Sequence, residues 1–121
     1  MLYNMCGLNV YYEPKYKQTI TRSEKYLAKN QNLKPDITLN VTEESIDNYI
    51  LSFPHTSRSL AEYVIYGMIF YEAILDYDGI LLHSSAISVD NEAYLFTANS
   101  GTGKSTHCAL WMKYFWDRAV M

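Results

Sequence analysis

Residues 98–106 read Ala-Asn-Ser-Gly-Thr-Gly-Lys-Ser-Thr. Their spacing is that of G-x-x-x-x-G-K-[ST], with Ala98 at the first glycine position. Each residue type in such a loop has a physical task. Glycines let the backbone bend so that successive N–H groups point into one concavity, which holds an anion. A helix starting at the loop adds its N-terminal dipole and unpaired N–H donors. Lys104 can reach the outer phosphates of a nucleotide as a mobile point charge, and the Ser105 hydroxyl can ligate Mg²⁺. The expected ligand is therefore ATP or another nucleoside triphosphate, with Mg²⁺. Asn99, Ser100, Gly101, Thr102, Gly103, Lys104, Ser105 and Thr106 are the expected nucleotide-binding residues, with Ser105 as the metal ligand.

Such a loop works only if a strand delivers it and a helix follows it. Residues 92–97 (Glu-Ala-Tyr-Leu-Phe-Thr) alternate and are rich in aromatic and apolar types, which predicts a strand. Over residues 106–115, Leu110, Trp111, Tyr114 and Phe115 recur at helical spacing. Residues 80–89 form a second strand-like run, separated from the first only by Asp90-Asn91. Two turn-forming residues between such runs predict a tight β-hairpin. Antiparallel pairing would then lead directly into the loop, whereas a doubly wound nucleotide fold approaches its loop from a parallel strand near its start.

Upstream, residues 2–12 have strand composition, and residues 36–41 alternate Ile37, Leu39 and Val41 as a further strand. Residues 43–51 suggest a short helix ending before Pro54. Ser59-Leu60-Ala61-Glu62 has the capping-box pattern, predicting a helix from there to about residue 76. That helix would be apolar on most faces, as a buried helix is, with Gly79 as its stop. The polar stretch 14–32 has no decisive pattern. The expected class is α/β with an α+β tendency: a mixed sheet with a hairpin leading into a phosphate loop and helix, preceded by a small α+β segment. The expected division is 1–77 and 78–121.

Apolar content of 49% and charged content of 19% are globular values. A net charge of −3 and a pI near 5.5 argue against a nucleic-acid partner, and no Lys/Arg cluster opposes this. The longest apolar stretch, 63–75, is broken by Tyr66, Gly67, Tyr71 and Glu72, so no membrane span is expected. No basic region opens the chain as in a signal peptide. Cys6 and Cys108 form no metal or redox motif and fit reduced thiols in a cytoplasmic protein. The 12 tyrosines include Tyr63, Tyr66 and Tyr94 at apolar positions, where they read as core and core-edge packing.

Leu82-His83-Ser84-Ser85-Ala86, the hairpin, and Ser100-Gly101-Thr102-Gly103-Lys104-Ser105 together resemble the catalytic domain of the bacterial HPr kinase/phosphorylase family. That family is related through its phosphate loop (Walker A) to the phosphoenolpyruvate carboxykinases. The resemblance covers roughly residues 78–116. It implies that Gly101, Gly103, Lys104 and Ser105 bind the phosphates and Mg²⁺. It also implies a catalytic place for His83 beside the transferring phosphoryl group, because the family's histidine stands on the preceding strand at the separation His83 has from Lys104. Two residues depart from the pattern: Ala98 replaces a glycine, and Thr106 stands where the kinase has Glu, which bears on HPr as substrate. The family follows its loop helix with a strand ending in an acidic pair; residues 118–121 read as the start of that strand, and Asp117 as a loop charge.

The resulting expectation is the ATP-binding segment of an HPr kinase-like kinase, acting on a serine hydroxyl of a protein or peptide. This chain by itself would bind Mg-nucleotide without turning it over. Two alternatives remain beside it: a non-enzymatic nucleotide-binding module or truncated remnant, and a small-molecule kinase or carboxykinase-like enzyme.

Overall fold

A computed structural model describes all residues, Met1–Met121, which divide into two units, Met1–Ile80 and Leu81–Met121.

The first unit opens with a hairpin where the sequence suggested one strand. Leu2–Met5 (β1) and Leu8–Tyr11 (β2) pair antiparallel, with Leu2 opposite Tyr11 and Met5 opposite Leu8. Cys6 and Gly7 between them both have positive φ, 54° and 83°, as a two-residue hairpin turn of the primed type requires. Ile37–Thr38 (β3) adds to β2 in parallel, so this sheet is mixed. The strand expected over 36–41 shrinks to those two residues. Leu39 and Val41 keep their buried positions without strand pairing, so the alternation recorded burial rather than length of strand.

Three helices of this unit follow in chain order. Lys17–Ser23 (α1) continues into a 3₁₀ turn, Glu24–Tyr26, within the stretch that had no decisive pattern. Glu43–Ser52 (α2) is opened by a capping box between Thr42 and Ser45. Arg58–Ala73 (α3) is capped by Ser57, whose Oγ accepts from the Leu60 N–H at 3.2 Å. The expected Ser59/Glu62 capping box does not form. Ser59 Oγ instead accepts from the Gln18 N–H (3.1 Å), and the Glu62 carboxylate accepts from the Lys15 and Tyr16 N–H groups (2.8 and 3.1 Å). The right residue types were recruited by the chain beside them, because a carboxylate buried to 1% exposure needs partners. Nor is α3 buried on most faces: Ala61, Glu62 and Tyr66 point inward, while Met68 and Tyr71 are exposed.

The core of this unit gathers Tyr3, Val10, Tyr12, Ile37, Ile46, Ala61 and Tyr66. Tyr12 stacks on Tyr3 with ring centroids 4.2 Å apart and lies 4.9 Å from Tyr66. Burial pushes the Tyr12 and Tyr66 hydroxyls up to about 12. After a 3₁₀ turn, Ile74–Tyr77, the helix is stopped by Asp78 in the left-handed region (φ 53°) and by the Gly79 N–H on the Ile74 carbonyl at 2.9 Å. A Cβ on Gly79 would meet that carbonyl oxygen at 3.0 Å, which explains the glycine by close approach.

In the second unit, Ser85–Val89 (β4) and Glu92–Phe96 (β5) form the expected hairpin around Asp90 and Asn91, both of positive φ (51° and 67°). Residues 80–84, which read as strand, lie outside it. Lys104–Phe115 is α4, and Ala119–Val120 (β6) pairs antiparallel with β4. The sheet order is β5-β4-β6 and every pairing is antiparallel. Ile87, Val89, Cys108 and Ala119 make a small core covered by Phe96, Trp111, Met112 and Phe115. Arg118 closes the far end, with Nε 2.9 Å from Asp90 Oδ1. The chain is thus of α/β to α+β class. None of its helices is long and apolar enough to cross a membrane.

Candidate functional site

β5 ends at Phe96 and α4 begins at Lys104, so the loop of interest spans the interval between strand and helix. Two turns shape it. The Asn99 carbonyl accepts from the Thr102 N–H (3.4 Å) and from Thr102 Oγ1 (2.8 Å), with Gly101 at φ 82° inside the turn. Gly103, at φ 89°, is the residue before the helix. Both angles lie where only glycine sits without strain. Ala98, at the position where the motif has its first glycine, is not among the residues of positive φ, so its Cβ is tolerated.

The helix start differs from those of α2 and α3, which have side-chain caps. No side chain caps α4. Its first-turn N–H groups therefore keep the donors that an anion can use, with the dipole favouring negative charge. Lys104 folds back over the loop, and its Nζ donates to the carbonyls of Ala98 (2.8 Å) and Asn99 (3.2 Å). An ammonium group has three N–H donors, so one is left for a ligand after both contacts are made. The same two bonds pin the lysine head where the loop curves.

A cavity of about 530 Å³ opens here, lined by Ser100, Gly101, Gly103, Lys104, Ser105 and Thr106 together with His83, Ser84 and Ser85. His83 thus faces the same space as the loop, although it stands two residues ahead of β4 rather than on a strand. Asn99 and Thr102, also expected as nucleotide-binding residues, are not on this wall. They are spent on the turn itself through the Asn99 carbonyl, and Thr102 lines the neighbouring hollow.

Ser85 is the residue that sequence reasoning passed over. Its Oγ lies 3.3 Å from Ser105 Oγ, so two hydroxyls from the strand and the helix meet on the cavity wall. The pleat could have pointed to it, because Ser85, Ile87 and Val89 share one face of β4 and that face carries α4. No cluster of three His, Cys, Asp or Glu side chains occurs in the chain. The donors present suit a hard cation that takes most of its oxygen ligands from phosphates and water, as Mg²⁺ does: Ser105 Oγ is exposed to the cavity and steadied by Ser85.

What the arrangement can do follows from its parts. It offers an uncapped helix start, one ammonium and two hydroxyls, groups of the kind that can hold a multiply charged anion. The His83 ring adds to the cavity wall a group able to orient or accept a proton. No family model, no curated protein and no solved structure matches this chain.

Proposed function

We propose that residues 81–121 bind the phosphates of a nucleoside triphosphate with Mg²⁺, as the nucleotide-holding part of an HPr kinase-like phosphotransferase acting on a serine hydroxyl. The observation that carries this reading is the uncapped start of α4 beside two left-handed glycines, with Lys104 drawn over the loop. Phosphoryl transfer depends chiefly on positioning and charge stabilisation. Lys104 and the loop amides supply charge at the outer phosphates. Ser105, whose Oγ lies 3.3 Å from Ser85 Oγ, would give Mg²⁺ one protein oxygen, and the metal would supply positive charge beside the phosphates. His83 would stand beside the outermost phosphate, where a neutral imidazole can orient the attacking hydroxyl. The cavity wall contains no carboxylate, so proton removal from an acceptor by a carboxylate is not part of what these side chains offer. This chain by itself is expected to bind Mg-nucleotide without turning it over. The kinase reading is supported by the His83-to-Lys104 spacing and the antiparallel hairpin, features the resemblance shares.

The test is an affinity series of ATP, ADP, AMP and adenosine in Mg²⁺. Affinity should fall at each phosphate removed, and steeply between ADP and AMP, because the amides and Lys104 contact phosphate oxygens. Equal affinity for ATP and adenosine would exclude the loop as the binding element.

A further inference from the structure

Gly103, Lys104 and Thr106 border two hollows. Beyond the phosphate cavity lies a second one of about 700 Å³, between the end of β5 and one face of α4. On the helix it is lined by Gly103, Thr106, His107 and Leu110, positions that follow one another along a single helical face. On the strand side it is lined by Phe96 and Thr97. The Phe96 ring meets His107 edge-on at 4.6 Å and 89°. His107 is held by Trp111, whose indole N–H donates to its Nε2 at 3.1 Å. A neutral His107 that accepts at Nε2 carries its proton on Nδ1, a donor left for a ligand. Leu110 is 59% exposed.

We propose that this hollow receives the nucleoside end of the triphosphate whose phosphates lie on the loop, a proposal that rests on the phosphate-binding reading above. A nucleotide has a polyanionic end joined to a flat, largely apolar ring. The two hollows differ in the same sense: the first has no aromatic or aliphatic side chain larger than a histidine on its wall, whereas the second adds Leu95, Phe96 and Leu110 to the threonines and Lys104 at its border. They adjoin across the first turn of α4, where three residues serve both. Both volumes fall in the range of small-molecule sites. A free inorganic phosphate or polyphosphate would leave the second hollow unused, so the two kinds of ligand are separable by experiment.

The experiment compares Mg-ATP with Mg-triphosphate (the inorganic chain of three phosphates) on the full chain by calorimetry, with tryptophan emission as a second readout. Mg-ATP should bind about tenfold tighter than Mg-triphosphate, the scale of one base packed on an aromatic side chain. Only ATP should change the emission of Trp111, which lies behind His107. Leu110→Ser should erase most of that gap while leaving triphosphate affinity as it was. If Leu110→Ser loses its helical signal, the wild-type comparison alone decides. Equal affinities for ATP and triphosphate would overturn the nucleoside site and leave the phosphate loop standing. Binding of neither would overturn both.

Discussion

Gly103→Ala and Gly67→Ala make the same chemical change in two backbone settings, and the account predicts opposite signs. Around either glycine an added Cβ would meet nothing within 4 Å, so neither effect is steric and both are set by backbone conformation. Gly67 lies inside α3 without a positive φ. Alanine there should stabilise by about 0.5–1 kcal/mol, because the unfolded chain loses freedom and helix propensity rises. Gly103 has φ 89°, where an alanine is strained by about 1–2 kcal/mol. Offsetting this by the same unfolded-state gain leaves a net loss of about 1 kcal/mol. For a small folding unit with a urea slope of about 1 kcal/mol per molar, the midpoint falls by about 1 M. The readouts separate cleanly: both tryptophans, Trp111 and Trp116, belong to residues 81–121. Gly103→Ala should shift the tryptophan-detected midpoint down, and Gly67→Ala should shift the helix signal of the first unit up. Strain of that size at the cradle should also weaken Mg-ATP binding by about fivefold. A Gly103→Ala protein with unchanged tryptophan midpoint and unchanged affinity would refute the claim that the left-handed turn shapes the site.

Further outcomes are expected elsewhere. Glu62→Ala leaves the partly buried Lys15 and Tyr16 N–H groups without their acceptor. It should cost about 3 kcal/mol, read as a lowered denaturation midpoint of the first unit; a change below about 0.5 kcal/mol would mean that the carboxylate is not the anchor. Hydrogen bonds from Arg58 and Lys15 hold the Glu43 carboxyl at about 2, below its ordinary 4.5. Since a depressed carboxyl stabilises above its unfolded value and loses this as pH falls through the folded one, the contribution should fade between about pH 4.5 and 2. Glu43→Gln should flatten that part of the acid titration curve, and an unaltered curve would contradict the assignment. His83→Ala should leave the affinity for Mg-ATP within about threefold, as expected of a group acting on the transferring phosphoryl. In a protein carrying the acceptor site it should reduce turnover far more, and a loss confined to nucleotide affinity would make His83 a binding residue.

The second unit was more legible than the first. Asp90-Asn91 between two apolar runs carries a local signal for one turn type, and a glycine loop between strand and helix is local as well. Both therefore survive reading without tertiary knowledge. The first unit is decided by contacts distant in sequence. Glu62 sits in a pattern that mimics a cap, yet residues 15 and 16 claim it, and Ser57 caps the helix instead. Cys6-Gly7 was missed as a turn because cysteine is an unusual residue at positive φ, so the flanking runs read as one strand. The shortness of β3 was hidden because Leu39 and Val41 are buried by packing, which alternation records just as it records a sheet. In the site, the loop residues were legible as a motif. Ser85 was not, since its role comes from the face of β4 that meets α4.

The most direct test of the central claim is calorimetric titration of Mg-ATP into the 121-residue chain and its Lys104→Ala variant. The account predicts measurable binding by the wild-type chain and a loss of tenfold or more in the variant, about 1.4 kcal/mol or above for removing one charge-assisted contact to phosphate. Equal binding by the two proteins, or none by the wild type, would contradict it.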